Sequence, residues 1–428
     1  MRSAFLRTTL LAAVAAGLLT PSGGRAQQTE PDRAPQTVLL PEKDRALSLR
    51  VTPVFEVGAA EGNDWEMFTR VEQVAFDRAD NLYVLDGGAS RVLVFDRTGK
   101  FVRQFGRKGG GPGEFQVPLG LAVQSDGTVA VADLASRSYS LFQADGGYIR
   151  SVPFAEGWMP GAFTGGGLAA HPRGGVVSTM RPAPTMRPDG IARSGSIQST
   201  PIVWQSFAEG VKPVRLFDPR MEIETKSQAS EPRPGERRFT MRMSVPVFSP
   251  RVSWGVLPGG RLVVSHTPGY TLKIMDGNGQ VERYVQRPVR ERKVTERDRE
   301  RERERRREAM RTGEGMRVVT IGGGGAPAAA QLPKQVIEES IRDMEFAETI
   351  PAIQNLRVDG AGRFWVERTG ATWGEPGPID VVTSEGRYLG TVTGQKLPLA
   401  FSASGRAAYV EKDDLGVERV VVRQLPQL

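Results

Sequence analysis

The stretch Val74-Ala-Phe-Asp-Arg-Ala-Asp-Asn-Leu-Tyr-Val-Leu-Asp86 decides how this chain is read, because it returns as Leu121-Ala-Val-Gln-Ser-Asp-Gly-Thr-Val-Ala-Val-Ala-Asp133. Each copy holds a short apolar run, a turn built on Asp with Asn or Gly, a second apolar run and a closing Asp. A short loop and an Arg follow each copy, as Gly87-Gly-Ala-Ser-Arg91 and Leu134-Ala-Ser-Arg137. Third strands are expected at 92–95 and 138–142, tight turns at 96–99 and 144–147, and fourth strands at 101–105 and 148–153. The two closing residues, Asp86 and Asp133, lie 47 residues apart. Four short strands repeated at that period are the arithmetic of a propeller blade.

Weaker copies continue the series at Leu168-Ala-Ala-His-Pro-Arg-Gly-Gly-Val-Val-Ser178, Trp254-Gly-Val-Leu-Pro-Gly-Gly-Arg-Leu-Val-Val-Ser265, Leu356-Arg-Val-Asp-Gly-Ala-Gly-Arg-Phe-Trp-Val-Glu367 and Leu399-Ala-Phe-Ser-Ala-Ser-Gly-Arg-Ala-Ala-Tyr-Val-Glu411. The last copy reaches the end of the chain one strand short. Thr52-Pro-Val-Phe-Glu-Val-Gly58 matches the fourth-strand position of Phe101-Val-Arg-Gln-Phe-Gly106 and can supply it. Closing the ring this way removes an exposed sheet edge. The expected fold is all-β, a six-bladed β-propeller closed by an N-terminal strand in the last blade. Its blades fall near 69–106, 115–154, 160–217, 247–287, 350–393 and 397–427 plus 51–58, after an N-terminal extension at 27–50.

Gly106-Arg-Lys-Gly-Gly-Gly-Pro-Gly-Glu-Phe115, the following Pro118-Leu-Gly-Leu-Ala122 and the Asp…Arg loops resemble the NHL repeats of bacterial exported six-bladed propellers. The resemblance is close over 54–154; blades three to six lack the Gly-Pro-Gly-Glu-Phe connector. It implies the same six-bladed fold and does not by itself assign a ligand.

Composition narrows the chemistry. The 428 residues are 39% hydrophobic and 25% charged, the balance of a globular chain. Fifty Gly and 30 Pro favour turns over long helices. With no Cys, there is no disulfide, thiolate metal site or thiol nucleophile, and two His cannot build a three-His metal site. Arg2 and Arg7 precede an apolar run at 10–19, and small residues lead to Gly24-Arg25-Ala26. This reads as a secretory signal cleaved after Ala26, since a membrane span needs about 20 apolar residues. The expected location is periplasmic or secreted, with no transmembrane segment after cleavage. Loss of the signal lowers the formal net charge from +8 to +5.

Three long insertions fall at 181–200, 218–245 and 288–348. In a four-stranded blade, the loop between the second and third strands opens on the same face as the connection to the next blade. All three insertions therefore decorate one face. Loops of this length are usually functional or disordered. Within the last insertion, 290–311 carries 11 Lys or Arg and 7 Asp or Glu, readable as a charged surface helix or a disordered strip. Residues 335–348 place Val336, Ile337, Ile341 and Met344 at helical spacing, an amphipathic helix expected to pack on the propeller.

The candidate ligand-binding face comprises Asp86, Arg91, Asp133, Arg137, Arg181, His266, Glu367, Arg237 and Arg238. Asp86 with Arg91 and Asp133 with Arg137 also read as ion pairs that hold the blades. His171 sits in a hairpin on the opposite face. No Gly-x-Ser-x-Gly elbow or Gly-Lys-Ser/Thr phosphate loop is present. The expected function is binding or scaffolding, without a cofactor, for a protein, peptide or glycan of the cell envelope, with an acidic partner drawn to the Arg-rich face. Export and interspersed acids argue against nucleic acid. The alternative is a metal-dependent hydrolase or lyase of lactonase type, with calcium on rim carboxylates such as Asp86, Asp133 and Glu367.

Overall fold

In the computed structural model the described residues are 34–156, 158–160, 167–182, 197–222, 246–312 and 334–428. They form a six-bladed β-propeller. Blade one is a four-stranded antiparallel meander of Val71–Phe76, Leu82–Asp86, Arg91–Phe95 and Phe101–Phe105. Blade two repeats it with Pro118–Val123, Val129–Asp133, Ser138–Phe142 and Tyr148–Pro153. Blades three, four and five run from Ala169–Ala170 to Val214–Phe217, from Ser253–Val256 to Val281–Gln286, and from Ile353–Val358 to Tyr388–Val392. Blade six takes three strands from Ala400–Phe401, Arg406–Lys412 and Glu418–Gln424. Its fourth is β2 (Thr52–Val57), paired antiparallel to Glu418–Gln424 with Thr52 opposite Gln424. The expected closure is present.

The burial pattern explains why the middle strands are almost unbroken apolar runs. Every residue of Leu82–Asp86 and Arg91–Phe95 is buried, because a blade packs on both faces. The outer strand Phe101–Phe105 alternates instead. Six apolar clusters sit one at each junction between blades. The cluster that closes the ring joins Val57, Ala408, Val420 and Val422 of blade six to Val74, Leu82, Leu93 and Phe95 of blade one. The Gly-rich connector serves a junction as well. Phe115 is fully buried between blades one and two, and a Cβ on Gly106 (φ +81°) would lie 2.2 Å from its ring. Glu114 fixes that loop by accepting from the Gly111 amide (2.8 Å) and Arg107 Nε (2.7 Å).

One element differs from expectation. Residues of the N-terminal extension are part of the propeller, as a belt along the outer edges of blades four, five and six. β1 (Gln36–Leu39) pairs parallel to Val281–Gln286 as a fifth strand of blade four. Ala46 then bridges to Thr391 on blade five, where Leu47 N donates to Thr391 O at 2.8 Å. β2 follows on blade six. Leu40 is buried in the junction of blades four and five, and Leu47, Leu49 and Val51 pack against that of blades five and six. The belt covers two edges that would otherwise be open to strand addition.

Two helices stand in the third insertion: α1 (Glu296–Thr312) and α2 (Lys334–Arg342). Thr295 and Asp298 cap α1 reciprocally, each amide donating to the other's side chain at 3.1–3.2 Å. Neither helix is long and apolar enough to cross a membrane.

Candidate ligand-binding face

The carboxylates that close the second strands lie on the face that carries the insertions, and their lone pairs are largely committed to backbone. Asp86 is fully buried and accepts from the amides of Thr69 (3.2 Å), Arg70 (3.0 Å) and Ala89 (3.4 Å). Asp133, likewise buried, accepts from Gln116 (2.6 Å), Val117 (3.2 Å), Ala135 (2.9 Å) and Ser136 (3.1 Å). Each thus ties the start of its own blade to the loop after its second strand. Glu367 occupies the same place in blade five, where it accepts from Asn355 Nδ2 at 2.6 Å and Gly377 N at 3.3 Å.

The two Asp–Arg pairs read from the repeats prove to be unlike each other. Arg91 Nε lies 3.3 Å from Asp86 Oδ2. The same guanidinium also holds Asp64, through its carboxylate and its carbonyl (2.8 Å), and Met67 O (3.0 Å). Those residues belong to the connector from β2 into blade one, so Arg91 pins the ring's closing joint. Arg137 makes no ion pair with Asp133. Register gives the reason: Asp86 stands opposite Arg91, whereas Asp133 stands opposite Ser138. The loop in blade two is one residue shorter before its Arg. Arg137 therefore takes the left-handed turn position of Ser90 (φ +53° against +56°) and is exposed.

His266 is half-buried at the end of the second strand of blade four, its ring edge-on to Phe217 at 5.1 Å. Burial, with Lys273 nearby, pushes its pKa down to about 4, so the imidazole is neutral at pH 7. On the opposite face, His171 opens its hairpin turn and is buried. It lies 4.7 Å from Trp204, and its Nδ1 accepts from Arg173 N at 3.2 Å. Arg237, Arg238 and the side chain of Arg181 lie outside the described residues.

The described insertion holds cations that motif reading passed over. On α1, Glu302, whose side chain is 3% exposed, pairs with Arg305 (2.7 Å) and Arg306 (3.0 Å) of the same helix. Burial works against that carboxylate, but the two guanidinium groups outweigh it and hold its pKa down. Arg299 and Arg303 lie over the Phe346 ring, at 5.9 and 5.3 Å. Within α1 the pairs run from an acid to an Arg three or four residues later, as in Glu296–Arg299, Glu300–Arg303, Glu304–Arg307 and Glu308–Arg311. That is the favoured polarity on a helix. Arg297 and Arg301 have no acid on that side except Asp298, which is engaged by Thr295 and Arg292. Together with Arg290 and Lys293 they are exposed and have no ion-pair partner among the described residues.

Below this insertion, where blades four and five meet, Arg287 and Asp380 pair at 2.6 Å with both side chains fully buried. Asp44 of the belt joins them, 2.6 Å from Arg287 and 2.7 Å from Arg368. Among the described residues no three His, Asp or Glu side chains converge as a metal site would require.

A family described as 6-bladed beta-propeller (DUF5128) matches residues 59–152. No curated protein matches the chain. Solved structures similar to it include a gluconolactonase from Xanthomonas campestris, with 14% identity over 88% of this chain and 90% of that one, at a TM-score of 0.42. A member of the DUF4221 family from Bacteroides vulgatus is 10% identical over 90% and 99%, with a TM-score of 0.44. Virginiamycin B lyase from Staphylococcus aureus is 8% identical over 89% and 100%, with a TM-score of 0.40.

Proposed function

We propose that this chain is an exported, NHL-like propeller that binds an acidic protein, peptide or glycan of the cell envelope through its insertion-bearing face. The observation that carries the reading is a set of four exposed cations without an ion-pair partner among the described residues: Arg290 and Lys293 just before α1, and Arg297 and Arg301 on α1, whose Arg299 and Arg303 lie over the Phe346 ring. Unspent charge on a docked element attracts an anionic partner over several ångströms, and mainly sets encounter rate. The rim carboxylates support binding over hydrolysis. Asp86, Asp133 and Glu367 spend oxygens on backbone and amide donors that a calcium ion or general base would have to displace. Export rests on the charged and apolar pattern of residues 1–26.

The test is binding of the full chain to immobilised polyglutamate and to neutral dextran at low and physiological salt. Capture of polyglutamate alone is expected, fading with salt as the Debye length shrinks to about 8 Å. Arg297→Glu with Arg301→Glu should weaken it without changing the melting temperature. Capture indifferent to both salt and the reversal would defeat the reading, and calcium-dependent turnover of a lactone panel would favour the hydrolase.

A further inference from the structure

A second group of cations, separate from the four above, gathers where α1 meets blades four and five. The segment that leads into blade four and the helix border one small apolar core, built on Val247, Phe248 and Ile350 with Phe346 and Trp373 against them. Val247 bridges to Phe346, and Arg303 of α1 lies over the Phe346 ring at 5.3 Å. Arg251 follows shortly after Val247, and Arg306 stands about one turn after Arg303. Arg305 passes the loop after the second strand of blade five, where a Cβ on Gly374 would lie 3.9 Å from its Cδ.

The three guanidinium groups share one carboxylate. Glu302 accepts from Arg305 Nε and Nη2, both at 2.7 Å, and from Arg306 Nε at 3.0 Å. Arg251 has no hydrogen bond or ion pair among the described residues. Burial lowers its pKa, Arg306 and then Arg305 lower it further, and Glu302 offsets only part of this. Arg251 thus feels two like charges more strongly than the one opposite charge. Arg305 Nη1, both Nη groups of Arg306 and the whole Arg251 fork have no acceptor among the described residues. All three side chains still reach solvent, Arg305 at 54% and Arg306 at 39%. Crowded cations short of an anion are costly, and a guanidinium fork matches phosphate oxygens two at a time.

We propose that Arg251, Arg305 and Arg306 bind a phosphate dianion, either the free ion or the terminal group of a monoester. Its charge of about −1.5 to −2 at pH 7 offsets the excess, and its several oxygens give each fork an acceptor. The site uses none of Arg290, Lys293, Arg297 and Arg301, so it can fail while the acidic-partner reading stands, and the reverse.

Calorimetric titration of the full chain with inorganic phosphate and with glycerol 3-phosphate tests this, at constant ionic strength and with acetate as the monoanion control. Saturable binding of at least one phosphate is expected, with acetate weaker. Equal affinity for the two phosphates would mark a site for a phosphate carried on a larger molecule, and preference for inorganic phosphate a site for the free ion. Arg251→Gln and Arg306→Gln should each lower affinity about tenfold, and Arg251→Lys should lower it less. Without ligand, Arg251→Gln should melt no lower than the unaltered chain, because it removes a repelled charge at an exposed position. Arg297→Gln with Arg301→Gln should weaken phosphate binding far less than Arg251→Gln does. Absence of saturable phosphate binding in the millimolar range, or affinity unchanged in Arg251→Gln, would overturn the proposal. So would acetate binding as tightly as phosphate, or an equal loss in the Arg297 and Arg301 variant.

Discussion

Arg287 and Asp380 face each other across the junction of blades four and five at 2.6 Å, with neither side chain reaching solvent. Burial opposes the Arg287 charge, but Asp380 outweighs it and holds the guanidinium pKa above its ordinary value. Arg287→Ala would leave the Asp380 charge buried and short of its closest cation. Stability should fall by about 3–5 kcal/mol. Asp44 is 45% exposed, so Asp44→Ala should cost only about 0–1 kcal/mol. Urea denaturation of the two variants checks the difference, and equal losses would mean that the belt's carboxylate carries the network.

The belt predicts two distinct truncation outcomes. A chain starting at Val51 keeps β2 but loses β1 and the bridge to Thr391. It should fold with lower stability, Leu40 alone contributing about 1.5–3 kcal/mol. A chain starting at Gly62 also loses the outer strand of blade six and should show no cooperative melt. Differential scanning calorimetry distinguishes the cases.

Arg91 and Arg137 come from matching loops yet should respond differently to replacement. Arg91→Ala breaks a buried pair and frees the connector at Asp64 and Met67, for a loss of about 3 kcal/mol. Exposed Arg137→Ala should stay within roughly 0.5 kcal/mol. Arg137→Gly should be neutral or slightly stabilising, because its φ of +53° suits glycine. Chemical denaturation of the three variants measures the contrast.

Both histidines make stability fall on the acid side. His266 titrates near pH 4 when folded, below its usual 6.5, and burial also lowers His171. The unfolded chain therefore binds protons first, so their contribution is complete above about pH 6.5 and is lost as pH falls from there toward 4. His266→Gln should flatten the stability difference between pH 7 and pH 5. An unchanged slope would place the titration elsewhere.

The blades were legible because each meander is local: apolar runs alternate with Gly and Asp turns within one repeat, and the copies confirm one another. β1 was not, because Gln36–Leu39 is short and pairs parallel with a strand far away in sequence, without a local turn to announce it. The rim was half legible. Asp86 and Asp133 were found by repetition, but their backbone partners leave no residue-type signature. One loop residue fewer before Arg137 reversed its role. The unpaired state of Arg297 and Arg301 follows from the direction in which acids and bases alternate, which net charge alone does not reveal.

Ring closure sets an order on biosynthesis. β2 emerges from the ribosome well before its partner Glu418–Gln424, with five blades made in between. An arc of completed blades must therefore wait with blade six lacking its outer strand. Contacts this distant in sequence form slowly, so joining the ends, and not building any one blade, paces folding. During that wait blade six can accept β2 from another molecule through the same hydrogen bonds. Strand-exchanged dimers are then the natural misassembly of this protein at high concentration.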